Sequence, residues 1–224
     1  MGRIKILPSI LSADFAQLGH DVEMIDKGGA DAVHCDIMDG HFVPNITFGP
    51  MIISAVRKYT VLPFWTHLML SEPEKFMKAY IKAGSNGIYI HPETGRDMEK
   101  LANDIREMGA WPAIAINPDT TLNEVKEDLQ YFDKILIMTV YPGFGGQSFI
   151  HDMLHKIREF HAYIQSLAKM PVIEVDGGID ENTCSEVVRA GVTSLVAGSN
   201  IFKADEPAKQ IQLLRERSEA VLNR

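Results

Sequence analysis

The sequence has 224 residues, 46% of them hydrophobic and 23% charged, a balance that suits a globular chain able to bury a sizeable core and argues against disorder. Thirty Asp and Glu against 22 Lys and Arg leave a formal charge of −8, and no segregated basic patch is visible, so a nucleic-acid partner is not expected. The longest apolar runs, such as 135–140, fall far short of the roughly 20 residues that a membrane-spanning helix needs, so no membrane partner is expected either.

Met1-Gly2-Arg3-Ile4-Lys5-Ile6 is too short an apolar stretch for a signal peptide and leads directly into a strand pattern over 5–10, so the chain reads as a mature, cytoplasmic protein. A helix over 14–27 follows, then strands over 32–38 and 64–69, a helix over 73–83 and a strand over 87–91. The second half continues the alternation: helix 97–108, strand 111–116, helix 122–129, strand 134–138, helix 150–168, strand 172–175, helix 181–190, strand 194–197 and a closing helix over 208–222. Repeated strand–helix units imply parallel strands joined by right-handed crossovers. With no linker-like tract, residues 1–224 read as one domain of eight β/α units, and the turn after the first strand lacks the glycine fingerprint of an open dinucleotide-binding sheet. The expected fold is an α/β (β/α)8 TIM barrel, in which active residues stand at the C-terminal ends of strands. The two cysteines, Cys35 and Cys184, form neither a metal-type pair nor a disulfide framework, in keeping with a reducing compartment.

Side chains alternate along a strand, so His34, Asp36 and Met38 share one face of the second strand while Val33, Cys35 and Ile37 share the other. If the apolar face packs on helices, an imidazole and a carboxylate point to the barrel axis. Trp65, His67 and Met69 repeat the arrangement, and the seventh strand ends at Asp176. His34, Asp36, His67 and Asp176 therefore form a candidate metal-ligand set, with hydrogen-bonded core histidines as the alternative reading. Glycine marks three consecutive loops: Tyr141-Pro142-Gly143-Phe144-Gly145-Gly146-Gln147-Ser148, Gly177-Gly178 and Gly198-Ser199-Asn200. Backbone amides released there can form an anion nest, and the turns after strands seven and eight are the usual phosphate site of barrels; the plainer alternative is tight turns alone. No GxxxxGK, HExxH or GxSxG motif occurs.

Pro8-Ser9-Ile10-Leu11-Ser12-Ala13-Asp14-Phe15, the run from His34 to Asn45, His67-Leu68-Met69, Met138-Thr139-Val140 with Pro142 to Gln147, Glu174 to Ile179 and Ala197-Gly198-Ser199 closely resemble the ribulose-phosphate 3-epimerase family. The match runs from the first strand to the last, and its two longest motifs are highly specific. The resemblance implies a metal-dependent isomerase that interconverts D-ribulose 5-phosphate and D-xylulose 5-phosphate, with one divalent ion per subunit, zinc or iron before cobalt or manganese. It implies that His34, Asp36, His67 and Asp176 bind the metal, and that Asp36 and Asp176 are the acid/base pair of a two-base inversion at C3 through a metal-stabilised enediolate. It further implies that Met38, Met69 and Met138 line the pocket, that Ser9 and His67 touch the sugar, and that Gly143, Phe144, Gly145, Gly146, Asp176, Gly177, Gly178, Gly198 and Ser199 bind the phosphorylated ketose. A homodimer or larger homo-oligomer is implied as well.

Two departures lie near the mouth: Trp65-Thr66 before His67, and Tyr141. His91-Pro92-Glu93-Thr94 resembles the subfamily acting on D-allulose 6-phosphate, which is the alternative substrate; a non-catalytic sugar-phosphate binding barrel is a more remote one, disfavoured because both aspartates are present. Glu174 is expected to face inward below Asp176, with Lys5 as its candidate ion-pair partner. His20, His151, His155 and His161 fall on helical stretches and read as solvated.

Overall fold

The computed structural model describes residues 3–222. Its eight strands are β1 (Lys5–Pro8), β2 (Val33–Met38), β3 (Phe64–Met69), β4 (Gly87–Ile90), β5 (Trp111–Ile116), β6 (Lys134–Met138), β7 (Val172–Asp176) and β8 (Ser194–Ala197). All pair in parallel in one sheet, ordered β1-β8-β7-β6-β5-β4-β3-β2, and a parallel bridge between Ser9 and His34 brings the two ends together. The result is the expected (β/α)8 barrel. Around it lie α1 (Leu18–Lys27), α2 (Pro50–Val56), α3 (Met77–Ala83), α4 (Met98–Glu107), α5 (Leu122–Val125), α6 (Met153–Ile164), α7 (Thr183–Arg189), α8 (Ser199–Phe202) and α9 (Pro207–Glu219). Among the described residues no helix is long and apolar enough to cross a membrane.

Every residue of β2 and β3 is buried, as parallel strands covered on both faces require. Alternation divides them into two cores. Val33, Cys35, Ile37, Phe64 and Leu68 pack outward with Val22, Ile25, Ile53 and Tyr80 of the helical layer. Inward, Leu7, Trp65, Tyr89, Leu136, Met138 and Val196 share the axis with the small Ala113 and Ala115 of β5, which leave room for the two aromatic rings. Trp65 stands in register with Gly87, where a Cβ would meet the indole ring at 2.3 Å. Gly87→Ala is therefore expected to cost about 1–3 kcal/mol of stability by overpacking. Urea unfolding reads this directly; a variant as stable as the parent would mean that the indole can move aside.

Several elements differ from the sequence reading for local reasons. The first helix starts at Leu18 rather than Asp14, because the Asp14 carboxylate accepts from the Ala16 amide and closes a turn ahead of the helix. The segment predicted as one helix over 73–83 is a 3-10 turn, Pro73–Lys75, followed by α3. The predicted 150–168 helix starts at Met153, since the Ile150 amide is held by the Thr139 carbonyl just beyond β6. Two short helices, α2 and α8, escaped the periodicity; Pro50 directly after Gly49 is the start signal for the first.

The expected Lys5–Glu174 ion pair does not form. Lys5 lies at the barrel's N-terminal rim with its side chain half exposed and turns to Asp31, 3.1 Å away. Glu174 is fully buried inside and meets Lys134 of β6 at 2.8 Å, while the Tyr89 and Ser194 hydroxyls also donate to it. Burial opposes ionisation of Glu174, but the Lys134 and His34 charges and the hydrogen bonds outweigh it and hold the carboxyl below its usual range. The Lys134 ammonium is covered by the Trp65 ring, 3.8 Å from its centroid.

Candidate active site and metal centre

At the C-terminal mouth of the barrel, β2, β3 and β7 bring His34, Asp36, His67 and Asp176 together, one ligand atom from each lying within 4.8 Å of all the others. Both histidines are fully buried and Asp36 nearly so. His34 Nε2 stands 3.2 Å from Asp36 Oδ1 and 3.4 Å from Asp176 Oδ2, and His67 Nδ1 stands 3.1 and 3.9 Å from the same two oxygens. A tetrahedral ion with bonds of about 2.0–2.1 Å would space its ligands roughly 3.3 Å apart, so these separations suit such an ion. Two imidazoles and two carboxylates also suit it chemically, because two anionic oxygens side by side call for a cation. The cluster can hold a metal ion.

Electrostatics separates the two aspartates. Burial opposes ionisation of Asp36, yet the charges and hydrogen bonds of His34 and His67 overcome it and hold the carboxyl well below the usual range. Asp176 goes the other way: burial and then the Asp36 charge raise it, against the pull of His34 and His67. His34 itself is raised to about 10, burial being outweighed by Asp36 and Asp176. Its Nδ1 is buried and has no hydrogen-bond partner among the described residues.

Above the cluster opens a cleft of about 590 Å³, solvent at its mouth included. Ser9, Asp36, Met38, Met69, Met138, Gly143, Phe144, Gly145, Gly146, Asp176, Gly177, Gly178, Gly198 and Ser199 all line it. His34 and His67 do not; they form its buried floor. The Ser9 hydroxyl donates to Asp36 Oδ2 at 2.5 Å and so orients that carboxylate from the side away from the histidines. The three glycine loops converge on one rim, and Gly178 shows why glycine is required there: its φ is +65° and a Cβ would stand 2.4 Å from the Phe149 amide nitrogen. The 141–147 loop is braced, since the Gln147 amide donates to the Tyr141 and Phe144 carbonyls and Asn45 donates to the Gly143 carbonyl.

Sequence reasoning missed Ser12 and His91. Ser12 lines the cleft, and its hydroxyl lies 2.7 Å from where a Gly198 Cβ would stand. His91 continues the inward register of Gly87 and Tyr89 at the end of β4, the same signal that identified His34 and His67. It is fully buried, its Nε2 lies 2.8 Å from His67 Nε2, and its Nδ1 lies 3.0 Å from Glu93. Burial keeps it neutral, lowering it to about 4 against the pull of Glu93.

The Ribulose-phosphate 3 epimerase family matches residues 5–202. A ribulose-phosphate 3-epimerase of Bacillus subtilis is 44% identical over 95% of this chain and 98% of its own length, and one from Synechocystis sp. is 44% identical over 95% and 93%. Among solved structures, KGPDC from Streptococcus mutans superposes with a TM-score of 0.72 over 98% of this chain and 99% of its own, at 11% identity, a likeness of fold. An identity of this size to the two epimerases, across nearly the whole of both chains and on a barrel whose strand ends carry the matching motifs, means that the protein belongs to the ribulose-phosphate 3-epimerase family.

Proposed function

We propose that this protein inverts C3 of a ketose phosphate, interconverting D-ribulose 5-phosphate and D-xylulose 5-phosphate, with Asp36 and Asp176 as its two proton-transfer groups. The observation that carries this reading is the presence of two cleft-lining carboxylates, from β2 and β7, with opposite protonation preferences. Inversion at a carbon next to a carbonyl requires a proton to leave from one face and another to arrive on the opposite face, which a single group cannot do. Asp36, held ionised, acts as base in one direction while Asp176, raised, acts as acid; the roles exchange in the other. Ser9 keeps Asp36 aimed, and Met38, Met69 and Met138 present polarizable thioethers to the sugar and help exclude water. The amides of Gly143 to Gly146, Gly177, Gly178, Gly198 and Ser199 bind the phosphate, which allows a chain of charge −8 to take an anionic substrate.

His34, Asp36, His67 and Asp176 would hold one divalent ion, zinc or iron before cobalt or manganese; His67, which the family resemblance also makes a substrate contact, lies beneath the cleft with its Nε2 on His91. Bound there, the ion supplies the positive charge that stabilises the enediolate and keeps the carboxylates oriented. Because His34 is raised to about 10 without metal, it carries a proton that must leave when the ion binds. Apparent zinc affinity is accordingly expected to rise by roughly tenfold per pH unit between about pH 6 and 8. Competition with a chromophoric chelator checks this; an affinity independent of pH would show that His34 is already deprotonated.

The substrate reading is tested by kcat/KM on ribulose 5-phosphate and allulose 6-phosphate. The pentulose is expected to be preferred, within the roughly 10- to 200-fold that one carbon unit allows, and a clear preference for the hexulose would overturn the assignment. The His91-Pro92-Glu93-Thr94 segment gives the hexulose no direct support, since His91 lies beneath His67 rather than in the cleft wall. A homodimer or larger assembly is part of the proposal, supported by the exposed Phe15, Ile46, Met51, Tyr59, Val61 and Phe76 in and around neighbouring α1, α2 and α3. A cytoplasmic location is supported by two buried, free thiols, Cys35 and Cys184.

A further inference from the structure

We infer that His91 and Glu93 are positioning residues that set the proton and the ring orientation of His67; the inference rests on the metal site proposed above. The three side chains form a single file. His67 Nδ1 faces the carboxylates at 3.1 and 3.9 Å, while its other nitrogen, Nε2, lies 2.8 Å from His91 Nε2. Two ring nitrogens can approach so closely only when one carries hydrogen and the other a bare lone pair. The rings are 5.0 Å apart between centroids and inclined by 25°. As each nitrogen lies about 1.1 Å from its ring centre, both fall on the line between the rings, so the contact is an in-line N–H···N bond rather than face stacking.

Glu93 decides its direction. His91 Nδ1 stands 3.0 Å from Glu93 Oε2, and an ionised carboxylate only accepts, so Nδ1 carries the hydrogen. A neutral His91 then offers Nε2 as the acceptor, His67 donates from Nε2, and the lone pair of His67 Nδ1 is left pointing at the carboxylates, as a metal ligand requires. Glu93 is anchored in turn: its Oε1 accepts from the Asn117 amide at 2.9 Å and from the Thr120 hydroxyl, both beyond β5. Phe42 packs on the His91 ring with centroids 4.8 Å apart and fixes its plane. His34 has no such brace, its Nδ1 being buried without a protein partner among the described residues. The order of the cluster therefore depends on a chain that reaches it from β4 and the segment after β5, neither of which contributes a ligand.

The test is zinc affinity by chelator competition in folded His91→Phe, His91→Gln and Glu93→Gln variants, with thermal melts alongside. His91→Phe keeps the ring volume but removes the acceptor, and is expected to weaken zinc binding by about 10- to 100-fold. His91→Gln places an amide oxygen near the former Nε2 and is expected to restore affinity to within about fivefold of the parent; Glu93→Gln, which removes the charge that fixes the direction, should lose about fivefold. His91→Phe binding zinc as tightly as the parent, or His91→Gln binding no better than His91→Phe, overturns the inference. If His91→Phe fails to fold, Glu93→Gln decides, and parental affinity there overturns it. A parent protein that takes up no zinc would instead remove the metal reading itself.

Discussion

Asp36→Asn and Asp176→Asn are each expected to lower epimerase turnover by about 10³-fold or more at saturating metal while leaving the barrel folded. Both substitutions keep side-chain volume. Asp36 loses the charge that His34 and His67 stabilise, and Asp176 loses the group that burial and Asp36 raise toward the acid form. As both residues also stand in the candidate metal cluster, zinc content measured on the same samples separates loss of metal from loss of proton transfer. The two-base mechanism gives a sharper signature. Each variant retains one carboxylate, so in deuterated water one should exchange the C3 proton of ribulose 5-phosphate and the other that of xylulose 5-phosphate, without inversion. A variant keeping about a tenth of parental turnover with its zinc in place would overturn the assignment.

Lys134→Met is expected to reduce unfolding free energy by about 3–5 kcal/mol near neutral pH, because it strands a carboxylate in the barrel interior. Glu174 is fully buried, its only cationic hydrogen-bond partner among the described residues is Lys134, and the hydroxyls of Tyr89 and Ser194 cannot replace a charge. The direction of pH dependence follows. In the parent, the lowered Glu174 contributes stability that is present above the unfolded pKa and lost as pH falls through the folded one. In Lys134→Met burial is opposed only by the His34 charge and the remaining hydroxyl hydrogen bonds, so the folded carboxyl lies higher than in the parent and the deficit should shrink on acidification. Lys134→Met combined with Glu174→Gln is expected to recover most of the loss, since an uncharged pair no longer needs the ion. Urea unfolding at two pH values measures all three; a single-variant loss below about 1 kcal/mol would show that Glu174 does not depend on Lys134.

Much of the site was legible in the spacing of the chain, and the reason is alternation. His34 and Asp36, like His67 beside Met69, sit two residues apart at strand ends, so a rule of period two assigns them to the axis without knowledge of the neighbouring strands. The same rule applies to His91, whose Gly87-Tyr89-His91 register is identical in kind, although in the sequence His91 stands out only as part of a motif with Pro92 and Glu93 that bears on substrate preference. The helix starts were less legible where a side chain or a distant carbonyl intervened, as at Asp14 and Ile150.

Lys5 and Lys134 mark the boundary of what a sequence pattern can decide. Both begin strands and both share a face with inward residues, Leu7 and Leu136, yet one ends half exposed beside Asp31 and the other buried against Glu174. Alternation specifies a side of the sheet; it does not specify how far along the axis each strand is displaced from its neighbours, and that stagger exists only in the closed barrel. The sequence by itself determined the strand–helix repeat, the inward identity of His34, Asp36, His67 and Asp176, and the glycine loops on one rim, because each depends on local spacing. Tertiary structure alone decided the partner of Glu174, the seating of Trp65 over Gly87, and the file from His67 through His91 to Glu93, because each joins residues from strands whose relative heights no local pattern encodes.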